Sequence, residues 1–104
     1  MRLEYYPSEK LKKEVLEILG THLNMRLYRV FFFGSRVTRK GNDRSDIDIG
    51  IEGPPISSAL WMRLEEKLEK LPTLYKIEFV DFSRVSRKFR DVALVQIEEL
   101  SPVA

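Results

Sequence analysis

The sequence contains no cysteine, only one histidine (His22) and no long hydrophobic run. The lack of cysteine excludes disulfides, thiolate zinc sites and cysteine nucleophiles, and a single histidine cannot build an imidazole metal cluster. Apolar stretches such as 30–33 are far shorter than the ~18 residues that a membrane span needs, and charged residues appear too early for a signal peptide. We therefore expect a cytoplasmic protein that does not associate with a membrane.

An excess of charge of one sign is also missing. Lys and Arg number 18 and Asp and Glu 16, so the formal net charge is only +2. This balance is too even for a protein whose whole surface wraps nucleic acid, and any basic site must be local. A chain of 104 residues, 43% of them hydrophobic, fits one globular domain with one modest core. We expect residues 1–104 to form a single domain.

The spacing of apolar residues predicts three helices and three strands. Helices are expected from Ser8 to about Asn24, from Ser58 to Leu71 with Ser57 or Ser58 as the cap, and from about Ser86 to Leu100. Strands are expected over 28–33, 46–52 and 75–82, and residues 35–45 read as a polar loop with one short helical turn. This order predicts an α+β domain with a small mixed sheet and helices packed on one face.

Two carboxylates follow the loop at a spacing that is suited to binding divalent metal ions. The sequence reads Phe33-Gly34-Ser35, ten further residues, and then Asp46-Ile47-Asp48. Positions i and i+2 of a strand point the same way, so the two Asp side chains can hold one or two divalent ions between them. A third acid, Glu78, lies on a later strand that could pair beside the first. Alternating strands often carry acids simply on a solvent face, which is the structural alternative.

The loop itself is suited to phosphate. Gly34 ends a buried strand and lets backbone approach a ligand closely, while the Ser35 hydroxyl and N–H can hold phosphate oxygens. Basic candidates for neutralising phosphate charge follow directly: Arg36, Arg39 and Lys40. Oxygen ligands without histidine favour Mg²⁺ or Mn²⁺ over zinc.

These residues resemble a known family. Gly34-Ser35, the Asp46-x-Asp48 motif and the later acid are similar to nucleotidyltransferases of the DNA polymerase β superfamily, especially the minimal nucleotidyltransferases paired with HEPN-domain toxins. The resemblance implies a polymerase-β-like core, two Mg²⁺ ions held by Asp46, Asp48 and Glu78 as catalytic acids, and nucleotide phosphates bound at Gly34 and Ser35. The family usually has Asp where this chain has Glu78, whose role as base, metal ligand or both stays open.

The resemblance also implies a reaction and a partner. Similar proteins act as antitoxins that transfer AMP from ATP to a tyrosine of a HEPN toxin. One alternative is a non-catalytic nucleotide-binding module that neutralises a toxin by contact. Another is an enzyme that modifies RNA ends through a basic run, which is equally typical of the solvated start of a helix. The residues of this run are Arg84, Arg87, Lys88 and Arg90.

Overall fold

The computed structural model describes residue 3, residues 6–38 and residues 46–100. The elements in chain order are α1 (Ser8–His22), β1 (Arg29–Phe33), α2 (Ser35–Thr38), β2 (Ile47–Glu52), α3 (Ser58–Glu69), β3 (Ile77–Asp81), α4 (Arg87–Ala93) and β4 (Glu98–Glu99). The strands form a sheet of order β3-β2-β1-β4, in which β2 and β3 are parallel and the other pairs are antiparallel. The predicted α+β class with a small mixed sheet is confirmed. Within the described ranges, no helix has the length and apolar character needed to cross a membrane.

The main core lies between one face of the sheet and the helices α1 and α3. Each helix contributes an apolar stripe at helical spacing, and the isoleucines of β2 meet these stripes from the sheet. The isoleucines Ile47, Ile49 and Ile51 of β2 are all buried on the core side, while Asp48 on the other side is half-buried and Gly50 is buried. Ser57 caps α3 by accepting a hydrogen bond from the Leu60 N–H at 3.2 Å.

The opposite face of the sheet carries a smaller aromatic cluster. Phe31 and Phe33 point away from Phe32, and they pack edge-to-face with Phe82 at centroid separations of 4.9 and 5.2 Å. Residues of α4 and the turn after it cover this cluster. The helices α1 and α3 share one face as expected, whereas α4 lies on the other, because β1 is apolar on both faces and both need cover.

The last helix is shorter than predicted. It ends at Ala93 instead of Leu100, and the chain then adds β4 to the free edge of β1. The Leu100 N–H donates to the Val30 carbonyl at 2.9 Å, and Leu100 is buried in the main core. Ala93 packs on the aromatic cluster of the opposite face. The chain must therefore pass from one face to the other around the sheet edge, which a continuous helix would prevent.

Candidate active site

The turn after β1 brings backbone against a carboxylate of β2. Phe33 pairs with Asp48 across the antiparallel strands, so Gly34 lies directly beside Asp48. Gly34 has φ 82°, a left-handed conformation that favours glycine, and a Cβ there would lie 2.4 Å from Asp48 Oδ2. Both the backbone conformation and the lack of space for a Cβ therefore require glycine at this position, where the predicted close approach occurs.

The acids of β2 and β3 lie on the sheet face opposite the main core. Asp48 and Glu78 are register partners in the parallel pair, and Asp46 precedes Asp48 by the two residues that return it to the same side. Burial, then repulsion from Glu78 and from Asp46, raises the pKa of Asp48 from 3.8 to about 6. The sheet thus places the three predicted acids on one face, where the charges of Glu78 and Asp46 repel that of Asp48.

These carboxylates suit a hard divalent metal that the substrate helps to bind. Among the described residues, no group of three or more Asp, Glu or His side chains is arranged so that it could hold a metal ion by itself. Mg²⁺ commonly takes one or two carboxylates and completes its shell with water and substrate phosphates. Asp48 and Glu78 supply such hard oxygens on adjacent strands, and a cation there would offset the repulsion at Asp48. The donor set therefore fits Mg²⁺ together with a nucleotide.

A cavity of about 660 Å³ opens beside Asp48. It is lined by the turn after β1, including Gly34, Ser35 and Thr38, and by apolar side chains of α4 and the turn that follows it. Its volume falls within the ~300–1,000 Å³ typical of small-ligand sites. The predicted phosphate-binding pair Gly34 and Ser35 therefore shares one cavity with a predicted catalytic acid.

Of the predicted basic residues, Arg36 lies within the described part of the chain. The Arg36 guanidinium lies 4.9 Å from the centroid of the Tyr75 ring, and Arg36 does not line the cavity beside Asp48. Arg39 and Lys40 fall outside the described residues. Sequence reasoning missed Lys76, whose Nζ lies 3.9 Å from Asp46 Oδ2. The parallel pairing of β2 with β3 brings Lys76 beside Asp46, so no pattern local to either strand could have revealed it.

The basic run near α4 is largely paired with acids. Arg84 lies 3.5 Å from Asp81, Arg87 lies 4.0 Å from Asp91, and Arg90 forms an ion pair with Glu52. Exposed ion pairs of this kind are weak, and they are typical of the solvated start of a helix.

The helical spacing of Trp61 and Phe89 predicts that both aromatic side chains pack in the core rather than serve as stacking surfaces for a base. Trp61 does so, lying edge-to-face with Phe79 at 6.1 Å between centroids. Phe89 packs on Phe33 and Phe82, but 42% of it is exposed and it lines the cavity beside Asp48. Helical spacing alone could not separate these two environments.

Comparisons with known proteins identify the family of the chain. The family described as polymerase beta, nucleotidyltransferase matches residues 13–100. A protein of Haemophilus influenzae (strain Rd) named probable protein adenylyltransferase MntA is 31% identical over 85 residues, which are 79% of this chain and 75% of that protein.

Solved structures show the same fold. A toxin-antitoxin crystal structure with AMP-PNP matches 88% of this chain and 73% of its own, with a TM-score of 0.70 and 19% identity. A complex of tri-AMPylated Shewanella oneidensis HEPN toxin with MNT antitoxin matches 91% of this chain and 73% of its own, with a TM-score of 0.65 and 17% identity. At these identities the likeness concerns the fold.

Proposed function

Because the chain belongs to the polymerase beta nucleotidyltransferase family, we propose that it transfers AMP from ATP to a tyrosine hydroxyl of a HEPN-domain toxin and acts as its antitoxin. The observation that carries the proposal is the pairing of Asp48 with Glu78 beside the Gly34 turn. The relative named as a protein adenylyltransferase and the toxin-antitoxin complexes of the same fold support this choice of acceptor.

The proposed metal ligands are Asp46, Asp48 and Glu78, which would hold two Mg²⁺ ions, with Mn²⁺ as a substitute. When bound, these ions supply positive charge that stabilises the phosphate oxygens in the transition state. Partial burial of Asp48 and repulsion by the neighbouring acids both disfavour its charged form. A bound cation would stabilise that charged form, which supports the assignment.

The remaining site residues have proposed roles in binding and proton transfer. The Ser35 hydroxyl and the backbone at Gly34 bind the nucleotide phosphates, while Arg36, Arg39 and Lys40 offset the charge of the departing pyrophosphate. The acceptor oxygen bonds to the α-phosphorus as the bond to the bridging oxygen breaks and pyrophosphate leaves. The exposed Glu78 carboxylate takes the hydroxyl proton.

Labelled ATP tests the reaction class. In a mixture of wild-type protein, Mg²⁺ and the product of the neighbouring gene, which we expect to be the HEPN toxin, that product should gain label from α-phosphate-labelled ATP. It should gain no label from γ-phosphate-labelled ATP. Asp46→Asn and Asp48→Asn should abolish transfer, whereas Asp91→Asn, at an exposed position of α4, should retain it. Full activity of either site variant would contradict the assignment of that acid.

The same reaction separates the two alternatives. Association with ATP and with the toxin, but no pyrophosphate release, would indicate a binding module that masks the toxin. Label on RNA ends instead of protein would indicate the RNA-modifying reaction.

A further inference from the structure

Three apolar side chains of α4 and the turn after it remain exposed on the side of the candidate active site. Phe89 is 42% exposed, Val92 70% and Val95 84%. All three line the cavity that also contains Gly34, Ser35 and Asp48. We call these three residues the α4 face.

The lining of the cavity combines two chemistries. The turn after β1 and Asp48 contribute polar groups, which suit phosphate and metal. The α4 face contributes apolar side chains to the same cavity. A nucleoside triphosphate combines the same two chemistries, a charged triphosphate and a flat base. From this match we propose that the α4 face binds the base of the nucleoside triphosphate, an inference that rests on the proposed nucleotidyl transfer.

Phe89 is held in place before any ligand binds. The centroid of its ring lies 6.1 Å from the ring centroid of Phe33 and 5.9 Å from that of Phe82. The first turn of α4 is capped by Ser86, which accepts from the Phe89 N–H at 3.1 Å, and Arg90 ties the helix to Glu52 of β2. An anchored ring loses little freedom on binding, so it is a suitable stacking surface for a base.

Gln96 places a polar group at the rim of the same cavity. Its Nε2 donates to the Val37 carbonyl at 3.2 Å, which fixes the orientation of the amide. The Oε1 atom is left as an acceptor, which can receive a hydrogen bond from an exocyclic amino group of a base. The lining of the cavity therefore combines the apolar α4 face with one polar side chain, Gln96, as ligand sites commonly do.

A partner protein is the competing occupant of the α4 face. Continuity favours the nucleotide, because Phe33 contacts Phe89 and is itself the residue before Gly34. A separate cavity of about 380 Å³ is lined by Trp61, Met62 and Val80 and contains none of the Gly34 turn. That second cavity provides a control position, since Met62 is 60% exposed and lies outside the proposed nucleotide site.

Calorimetric titration with Mg²⁺ and either ATP or tripolyphosphate tests the proposal. Phe89→Leu keeps an apolar side chain on Phe33 and Phe82 but removes the ring, and it should weaken ATP binding about tenfold, the loss expected for one stacking aromatic. Tripolyphosphate, which has no base, should bind Phe89→Leu and wild type equally. Phe89→Tyr should restore ATP affinity, and Met62→Ala should leave both ligands unaffected.

Several results would overturn the proposal. Unchanged ATP affinity in Phe89→Leu would exclude stacking of the base on Phe89. If this variant lost affinity for ATP and tripolyphosphate equally, the role of Phe89 would be structural. Weaker association with the toxin at unchanged ATP affinity would assign the α4 face to the partner. In each of these cases wild type still binds ATP and the proposed function stands. A wild type that binds neither ligand would overturn both proposals.

Discussion

Gly34 and Asp48 lie so close that a Cβ on Gly34 would come within 2.4 Å of Asp48 Oδ2. The pairing of Phe33 with Asp48 across β1 and β2 sets this proximity. It brings the proposed phosphate-binding turn and a proposed metal ligand to one point of the sheet. A phosphate bound at the turn is therefore next to the carboxylate that would share its metal ion.

Replacing this glycine should damage both stability and activity. Gly34→Ala forces a left-handed φ on alanine, at a cost of about 1–2 kcal/mol, and pushes Asp48 aside. We expect transfer to fall about a hundredfold, as a displacement of about 1 Å at an active site can cause. Urea unfolding and the rate of AMP transfer measure the two effects.

Gly20→Ala is the matched control for that variant. Gly20 lies in α1, and its added Cβ would meet Met25 Cγ at an ordinary 3.8 Å. This change should stabilise the protein by about 0.5–1 kcal/mol and leave transfer unchanged. Equal behaviour of the two alanine variants would contradict the special position of Gly34.

Asp48→Asn should stabilise the metal-free protein above pH 6. The folded pKa of Asp48, about 6, lies above its ordinary 3.8, so the folded state binds more protons than the unfolded state between these values. The free energy of unfolding of the wild type should therefore fall as pH rises from about 4 to about 6. Because this carboxylate is only half-buried, we expect a gain of about 1 kcal/mol at pH 7 in the variant.

Unfolding curves between pH 4 and pH 8 without metal measure this effect. The difference between Asp48→Asn and wild type should be largest at pH 7 and vanish near pH 4. Asp91→Asn makes the same chemical change at an exposed position of α4 and serves as the control. A difference that does not vary with pH would contradict a repulsive cluster around Asp48.

Mg²⁺ should stabilise the wild type through the same acids. At tenfold excess over its dissociation constant, a ligand that binds only the folded state adds about 1.4 kcal/mol. We expect the thermal midpoint of the wild type to rise when Mg²⁺ is added and to return to its metal-free value when the ion is chelated. In Asp48→Asn, the rise on adding Mg²⁺ should be small. An equal rise in the variant would place the cation elsewhere.

Glu78 can be tested with two variants that differ in charge and length. Glu78→Gln removes the proton acceptor and should lower transfer by about 10²–10⁴, the usual contribution of a general base. Glu78→Asp keeps the carboxylate and should therefore keep most of the wild-type rate of AMP transfer. Steady-state rates of the two variants and the wild type measure this difference. If Glu78→Gln transferred AMP as fast as wild type, the proton would have to go to another group.

Local periodicity predicted much of the fold and part of the site. The alternation around Ile47 and Ile49 placed both Asp residues on one face, because a strand has a period of two. Gly34 was predicted from its place after a buried strand. These features depend on residues near one another in the chain, so sequence reasoning reached them.

The features that were missed depend on pairing between distant segments. β4 forms because β1 has a free edge, which the helical pattern of 86–100 does not reveal. Lys76 reaches Asp46 only through the parallel register of β2 and β3. Phe89 has the spacing of a core residue, and only the position of α4 beside the cavity shows that part of its ring is exposed.

The most direct test of the proposed function is the mass of the HEPN partner after incubation with ATP and Mg²⁺. We predict a mass increase of one or more adenylyl groups, located on tyrosine by fragmentation. No increase should appear with Asp48→Asn or after replacement of the modified tyrosine by phenylalanine. An unmodified partner, in a mixture where wild-type protein binds both ATP and the toxin, would contradict protein adenylylation.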